Sequence, residues 1–402
     1  MISFLKKLGP GFLFAGAAIG VSHLVQSTRA GADFGFGLLW ALFLINIVKY
    51  PFFQFGPRYA SATGESLLEG YHKMSKWVLR VYIILTFATM FTIQTAVTIV
   101  TAGIASSLFG GSSLVFWTAI IIGICFVILL FGKYKALDSL MKIIVIFLTI
   151  STIIAVALAV KPAVSIDFSQ IIPSDAVSIA FLIAFMGWMP APLDISIWHS
   201  VWTVEKKKLN PSITSKQSIF DFNIGYITTI ILAIGFVSLG ALVMHGSGES
   251  FSIKGGEFAN QLIQMYTYSL GNSAKIIIGV AALTTMFSTT LTTLDASPRV
   301  MQKSTELLGN RKFSKGYLFW LLVLVLGTIS IFFLFISEMG LLIKIATILS
   351  FLTAPFYAIT NYILITGKHT PKEAQPSKLL KIYSLFSITI LIAFSLWYLS
   401  TL

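Results

Sequence analysis

Hydrophobic positions gather into long runs separated by short polar stretches. A run of roughly 20 apolar residues is the length that crosses a bilayer as a helix. Eleven such spans are predicted, near residues 10–30, 36–57, 78–108, 113–132, 138–160, 176–203, 219–245, 273–302, 316–336, 339–366 and 379–401. Two of them are not plain apolar helices. The first reads GPGFLFAGAAIGVSHLVQSTRAGADFG, where Gly16, Gly20, Ser22 and His23 weaken the helix centre and Gln26, Ser27 and Thr28 follow. The sixth contains AFMGWMPAPLDISIWHSVWT over Ala184–Thr203, with Gly187, Pro190 and Pro192 at its middle. Proline removes a backbone donor and clashes with the preceding turn, so the helix is expected to break there. Non-helical backbone at membrane depth is tolerated only where it lines a cavity or is buried in protein. The interrupted spans are five apart. Interruptions at matching positions of two five-span halves point to an inverted-repeat transporter with its substrate at the midplane. The expected organisation is one membrane domain over 1–402, with repeat 1 near 10–160, repeat 2 near 176–366 and an extra helix near 379–401.

Composition agrees with an all-α polytopic membrane protein: 56% of the 402 residues are hydrophobic and only 11% charged. A net charge of +13 raises nucleic acid as a partner, but the basic residues sit in short loops between apolar runs, so membrane topology explains them instead. With the N-terminus in the cytoplasm, the inside segments hold 21 of the 28 Lys and Arg, the outside segments hold 4 (Arg29, Lys161, Lys254 and Lys275), and Lys49, Lys142 and Lys344 fall within spans. That bias predicts an integral plasma (inner) membrane protein with a cytoplasmic N-terminus and, after an odd number of spans, an extracytoplasmic C-terminus. The lone Cys125 excludes a disulfide framework or a cysteine metal site. MISFLKKLGPGF lacks a cleavage site and does not read as a cleavable signal. Within the loop near 246–272, GGEFANQLIQMYTYSLG reads as a short amphipathic helix over the extracellular mouth or as a solvated connector.

Candidate chemistry lies at the breaks. Asp194, Ser196, His199 and Ser200 follow the second one, and ionisable groups inside a membrane segment mark functional sites by default. Span 8 carries Thr284, Thr285 and FSTTLTTLDASPR. Ser288 and Thr292 are four apart, as are Thr289 and Thr293, so hydroxyls line adjacent faces of one helix, suited to Na⁺ or another hard cation. The competing reading is that they bond back to their own helix carbonyls. Asp295 and Arg299 are spaced for an i,i+4 pair. Gln94, Thr95 and Thr98 face the cavity or join helices. Lys49 snorkels or pairs with an acid, and Lys344 sits near the core or snorkels outward.

Several stretches are similar to the NRAMP family (natural-resistance-associated macrophage proteins) of divalent-metal transporters. They are Gly9-Pro10 through AGADFGFGLLW, Gln54 then ASATGESLLEG, Met189-Pro190, His199-Ser200, STTLTTLDASPRVM, and LSF with APFYAI in span 10. The resemblance covers roughly spans 1 to 10 and implies a leucine-transporter-type 5+5 inverted repeat with broken helices 1 and 6. It departs at the chemistry. Where that family carries Asp-Pro-Gly-Asn, whose Asp and Asn bind metal, this chain has Gly20, Val21, Ser22 and His23. Where it reads Met-Pro-His, this chain has Met189, Pro190 and Ala191.

Two readings stay open. The first is a secondary transporter of a metal cation by alternating access, with His23 and Met189 as metal ligands, since imidazole and thioether suit borderline or soft ions. Asp194, His199 and Asp295 would then be charge or proton-relay groups. The second is a Na⁺- or H⁺-coupled symporter of a small organic solute, because the acidic metal ligand is absent. Its cavity would be lined by Gly20, Ser22, His23, Gln26, Met186, Trp188 and Met189. Ala17, Gly20, Ser288, Thr289 and Thr292 are the expected coupling-ion site. No permanently bound cofactor is expected, nor an enzyme, because no nucleophile or metal-hydrolase constellation is present. The expected partners are the lipid bilayer and a small ion or small-molecule substrate.

Overall fold

The computed structural model describes residues 9–110, 113–131, 134–160, 167–246, 251–252, 255–271, 275–335 and 339–401. Lys6, Lys7, Lys133, Lys161 and Lys254 of the charge count lie outside them. The described chain is helical: α1 (Pro10–Ala18), a π turn (Ser22–Ser27), α2 (Thr28–Phe34), α3 (Leu39–Thr63), α4 (Leu67–Met74), α5 (Lys76–Phe109), α6 (Leu114–Phe131), α7 (Tyr134–Ala159), α8 (Ala176–Trp188), α9 (Ile195–Leu209), α10 (Ser215–Val243), α11 (Gly255–Leu270), α12 (Lys275–Gly309), α13 (Gly316–Phe335), α14 (Met339–Thr366) and α15 (Lys378–Leu399).

Each predicted span coincides with a helix or a broken pair. Six helices, at Leu39–Thr63, Lys76–Phe109, Ser215–Val243, Gly316–Leu334, Gly340–Thr366 and Lys378–Leu399, are long and apolar enough to cross a membrane unaided. α6, α13 and α15 turn large apolar side chains outward, among them Phe116, Ile124, Leu326, Phe333, Phe386 and Leu396. In a membrane that is the face lipid covers. The stretch near 246–272 does form a helix, α11, which buries Phe258 and Leu262 and packs on α5 and α7.

α10 packs along the first broken span. It touches α1 so closely that a Cβ on Gly11 would lie 2.1 Å from the Asp221 carbonyl oxygen, and one on Gly225 2.1 Å from that of Gly11. Only glycine permits this approach of two backbones. The Asp221 carboxylate also accepts from the backbone N–H of Gly9 (2.9 Å) and Gly11 (2.8 Å), capping the N-terminus of α1 from another helix. Asp221 is thus a structural cap between the two helices.

Candidate functional site

The first break follows from weak helix formers. α1 ends at Ala18, and Leu24 N–H resumes helical bonding to the Gly20 carbonyl. Thr289 of α12 closes on this break: its hydroxyl lies 3.1 Å from both the Gly16 and Ile19 carbonyl oxygens and 3.3 Å from its own Thr285 carbonyl. Three carbonyls thus crowd one hydroxyl where a coupling ion was expected. A Cβ on Gly20 would meet Thr289 Cγ2 at 2.7 Å and Oγ1 at 2.8 Å. Ser288 and Thr292 instead bond back to their own helix, Ser288 to Thr285 O at 2.8 Å and Thr292 to Ser288 O at 2.9 Å. Thr293 and Gln94 join α12 to α5 through a 2.7 Å hydrogen bond.

The second break separates α8 from α9 through a cis Met189–Pro190 bond. A helix end leaves its last carbonyls without backbone partners and carries partial negative charge. Here they are taken by Lys49 of α3, which is fully buried: its Nζ donates to Met186 O at 2.8 Å, Gly187 O at 2.7 Å and Ala191 O at 3.1 Å. Lys49 therefore neither snorkels nor forms a direct ion pair. Desolvating an ammonium costs several kcal/mol. Three hydrogen bonds from a charged donor, at roughly 1.5–3 kcal/mol each, are of the size that offsets it.

Between the breaks lies a cavity of about 30 Å³, lined by Ala17, Ala18, Gly20, Val21 and Ser22, by Trp188, Pro192, Asp194, Ile195 and Trp198, and by Ile93, Val97, Thr289 and Thr293. Asp194 stands at the N-terminus of α9 without making a cap bond, and its buried Oδ1 has no hydrogen-bond partner among the described residues. The Trp198 indole N–H, one turn further on, also lacks one. The Trp188 indole donates to Ser350 Oγ at 2.9 Å.

Other predicted residues lie elsewhere. His23 is fully buried and outside the lining; its Nε2 donates to Thr229 O at 3.0 Å, and its Nδ1 lies 2.7 Å from Ser22 Oγ. A nitrogen facing a carbonyl must carry the proton, so Nε2 is the donor; Nδ1 faces the Ser22 hydroxyl, whose own proton goes to the Ala18 carbonyl oxygen at 2.6 Å, and neither nitrogen is open to a metal in this conformation. Gln26, Met186 and Met189 are buried but do not line the cavity. His199 is packed against the rings of Phe14 and Phe222, each 5.6 Å away, with no hydrogen-bond partner on either nitrogen among the described residues. Asp295 makes the expected pair with Arg299 at 2.6 Å and accepts from Tyr317 at 2.8 Å, away from the cavity. Ser196 and Ser200 are fasteners: Ser196 accepts from Asn361 at 3.0 Å and Ser200 from Leu67 N–H at 2.9 Å. Lys344 is exposed.

A family model described as natural resistance-associated macrophage protein-like matches residues 11–401. The chain belongs to the Nramp-like family. A protein of Pasteurella multocida (strain Pm70), described only as uncharacterized, is 38% identical over 380 residues, covering 92% of this chain and 87% of that relative. Among solved structures, a variant of the Eremococcus coleocola manganese transporter matches with a TM-score of 0.77 at 14% identity, over 99% of this chain and 86% of the other. Mhp1, a nucleobase-cation-symport-1 family transporter closed with bromovinylhydantoin bound, gives 0.61 at 14% identity, over 98% and 93%. MhsT in complex with L-phenylalanine gives 0.61 at 15% identity, over 96% and 98%. The fold is thus of the leucine-transporter type, and this Nramp-like protein is an integral membrane protein of the secondary-transporter class.

In this Nramp-like protein the departures from the family motif fall on the two breaks. The Gly20–His23 stretch supplies no carboxylate, and the nearest one lining the cavity is Asp194 on the opposite break. Ala191, in the place of the family's His, contributes its carbonyl to Lys49. Among the described residues no three His, Cys, Asp or Glu side chains are grouped to hold a metal. Reading the sequence missed the lodging of Lys49 and the lining role of Trp198. A lysine at the centre of an apolar span was the available signal for the first, and the i,i+4 spacing from Asp194 for the second.

Proposed function

We propose that this protein moves a metal cation by alternating access through the cavity between its two breaks. The observation that carries the reading is an ion-sized cavity holding an unpaired, buried carboxylate oxygen of Asp194. A volume near 30 Å³ accommodates an ion or a water, whereas pockets for larger organic ligands run to roughly 300 Å³ and more. Asp194 supplies the negative charge a cation needs on leaving water, and so takes the ligand role that the sequence suggested for His23 and Met189. Backbone oxygens at the first break complete the shell. A manganese transporter among the solved structures with this fold makes Mn²⁺ the first cargo to test. The charge bias of the loops supports a cytoplasmic N-terminus and an extracytoplasmic C-terminus in the plasma (inner) membrane.

One observation favours a second reading, a cation-coupled symporter of a small organic solute: Ile93, Val97, Trp188 and Trp198 give the cavity an apolar wall. Calorimetric titration of the purified protein with Mn²⁺, Mg²⁺, Ca²⁺ and Na⁺ separates the two. Saturable Mn²⁺ binding that vanishes in Asp194→Asn and survives in His23→Ala is the expected result. Absence of any divalent binding, together with a Na⁺-dependent gain in thermal stability, would overturn it and move the protein to the organic-solute class.

A further inference from the structure

The carbonyls of Met186, Gly187 and Ala191 converge on one point inside the protein, at 2.7 to 3.1 Å from the Lys49 nitrogen. An –NH₃⁺ group has three donors and no acceptor. A neutral amine has two hydrogens and a lone pair, which would face one of the three carbonyl oxygens. Three acceptors at hydrogen-bonding distance therefore describe an ammonium. Hard oxygens gathered at a helix C-terminus are also the donor set that a dissolved monovalent cation would choose.

We propose that the second break is a cation site which the chain fills with its own Lys49 ammonium, so that no dissolved coupling cation binds at these three carbonyls. Any ion that moves is then confined to the cavity itself, between Asp194 and Thr289. The inference does not depend on the identity of the cargo, and its test reads no transport.

Lys49→Ala leaves a space shaped for the missing propylammonium fragment. The melting temperature of the purified variant is expected to fall by roughly 5 °C or more and to rise saturably on adding n-propylammonium, while the unsubstituted protein does not respond. A gain from Na⁺ in the variant alone supports the same site. An equal gain from 1-propanol, or an equal gain in both proteins, overturns it, because cavity filling or a non-specific salt effect would then explain the response. A second measurement needs no variant. Reductive methylation with formaldehyde, read by mass spectrometry, is expected to modify Lys49 roughly tenfold or more slowly than the exposed Lys368. Equal rates would show that the ammonium is not resident and would also overturn the proposal.

Discussion

At the scale of single residues, a buried polar atom without a partner costs about 1–3 kcal/mol, so a chain that retains one keeps it for a reason other than stability. His199 offers the cleanest case, with both ring nitrogens bare between two phenylalanines. His199→Phe is expected to raise the melting temperature while slowing uptake, measured side by side in detergent and in proteoliposomes. Unimpaired uptake would remove His199 from any proton relay. His23 behaves oppositely, because its ring ties the π turn to α10. His23→Phe should lower stability by about 1–3 kcal/mol in thermal unfolding, through the hydrogen bonds it loses. The sequence marked both histidines by their rarity in apolar surroundings, but a one-dimensional pattern does not distinguish a satisfied ring from a bare one. It also missed that Lys49 meets carbonyls more than 130 positions away.

At the scale of elements, the two breaks were legible because glycine and proline act locally, on their own backbone and the preceding turn. Helix contacts were less so: the hydroxyl spacing on α12 suggested an ion site, yet Ser288 and Thr292 bond within the helix, while Thr289 reaches the first break and Thr293 reaches Gln94 on α5. Glycine identity also leaves close approach unresolved until the partner is known. Gly225→Ala forces a methyl against the Gly11 carbonyl and is expected to cost about 1–3 kcal/mol, the range of overpacking. Gly123→Ala, on α6, meets nothing within 4 Å and should stay within about 0.5 kcal/mol of the parent. Thermal unfolding of both variants checks the contrast.

At the scale of the whole molecule, the charge bias of the loops gives an orientation to test, with the C-terminus outside. Fusing alkaline phosphatase after Thr401 should give an active enzyme and fusing a fluorescent protein there a dark one; the reverse pattern would invert the topology. Helix α4, between α3 and α5, is fastened to α12 through the 2.8 Å Lys303–Glu69 pair, and Glu69 also accepts from Ser66. Burial alone would raise the Glu69 carboxyl, but Lys303 and Ser66 outweigh it and hold it below the ordinary glutamate value. A lowered value in the folded state means that the contribution is fully present above the unfolded value of about 4.3 and is lost as pH falls through the folded one. The stability gap between the parent and Glu69→Gln should therefore be constant near neutrality and close only below that range, in a melting series run from pH 7 downward. The contacts of α10 have a mechanical consequence as well. Asp221 and Gly225 hold α1, Thr229 holds the π turn, and Gly240 lies where a Cβ would come within 2.1 Å of the Thr28 carbonyl at the start of α2. One unbroken helix is thus bound to both arms of a broken one at three heights, as a splint is bound across a fracture. The bend at Gly20 is consequently not a hinge, and any swing that exposes the cavity must carry both arms and their splint together.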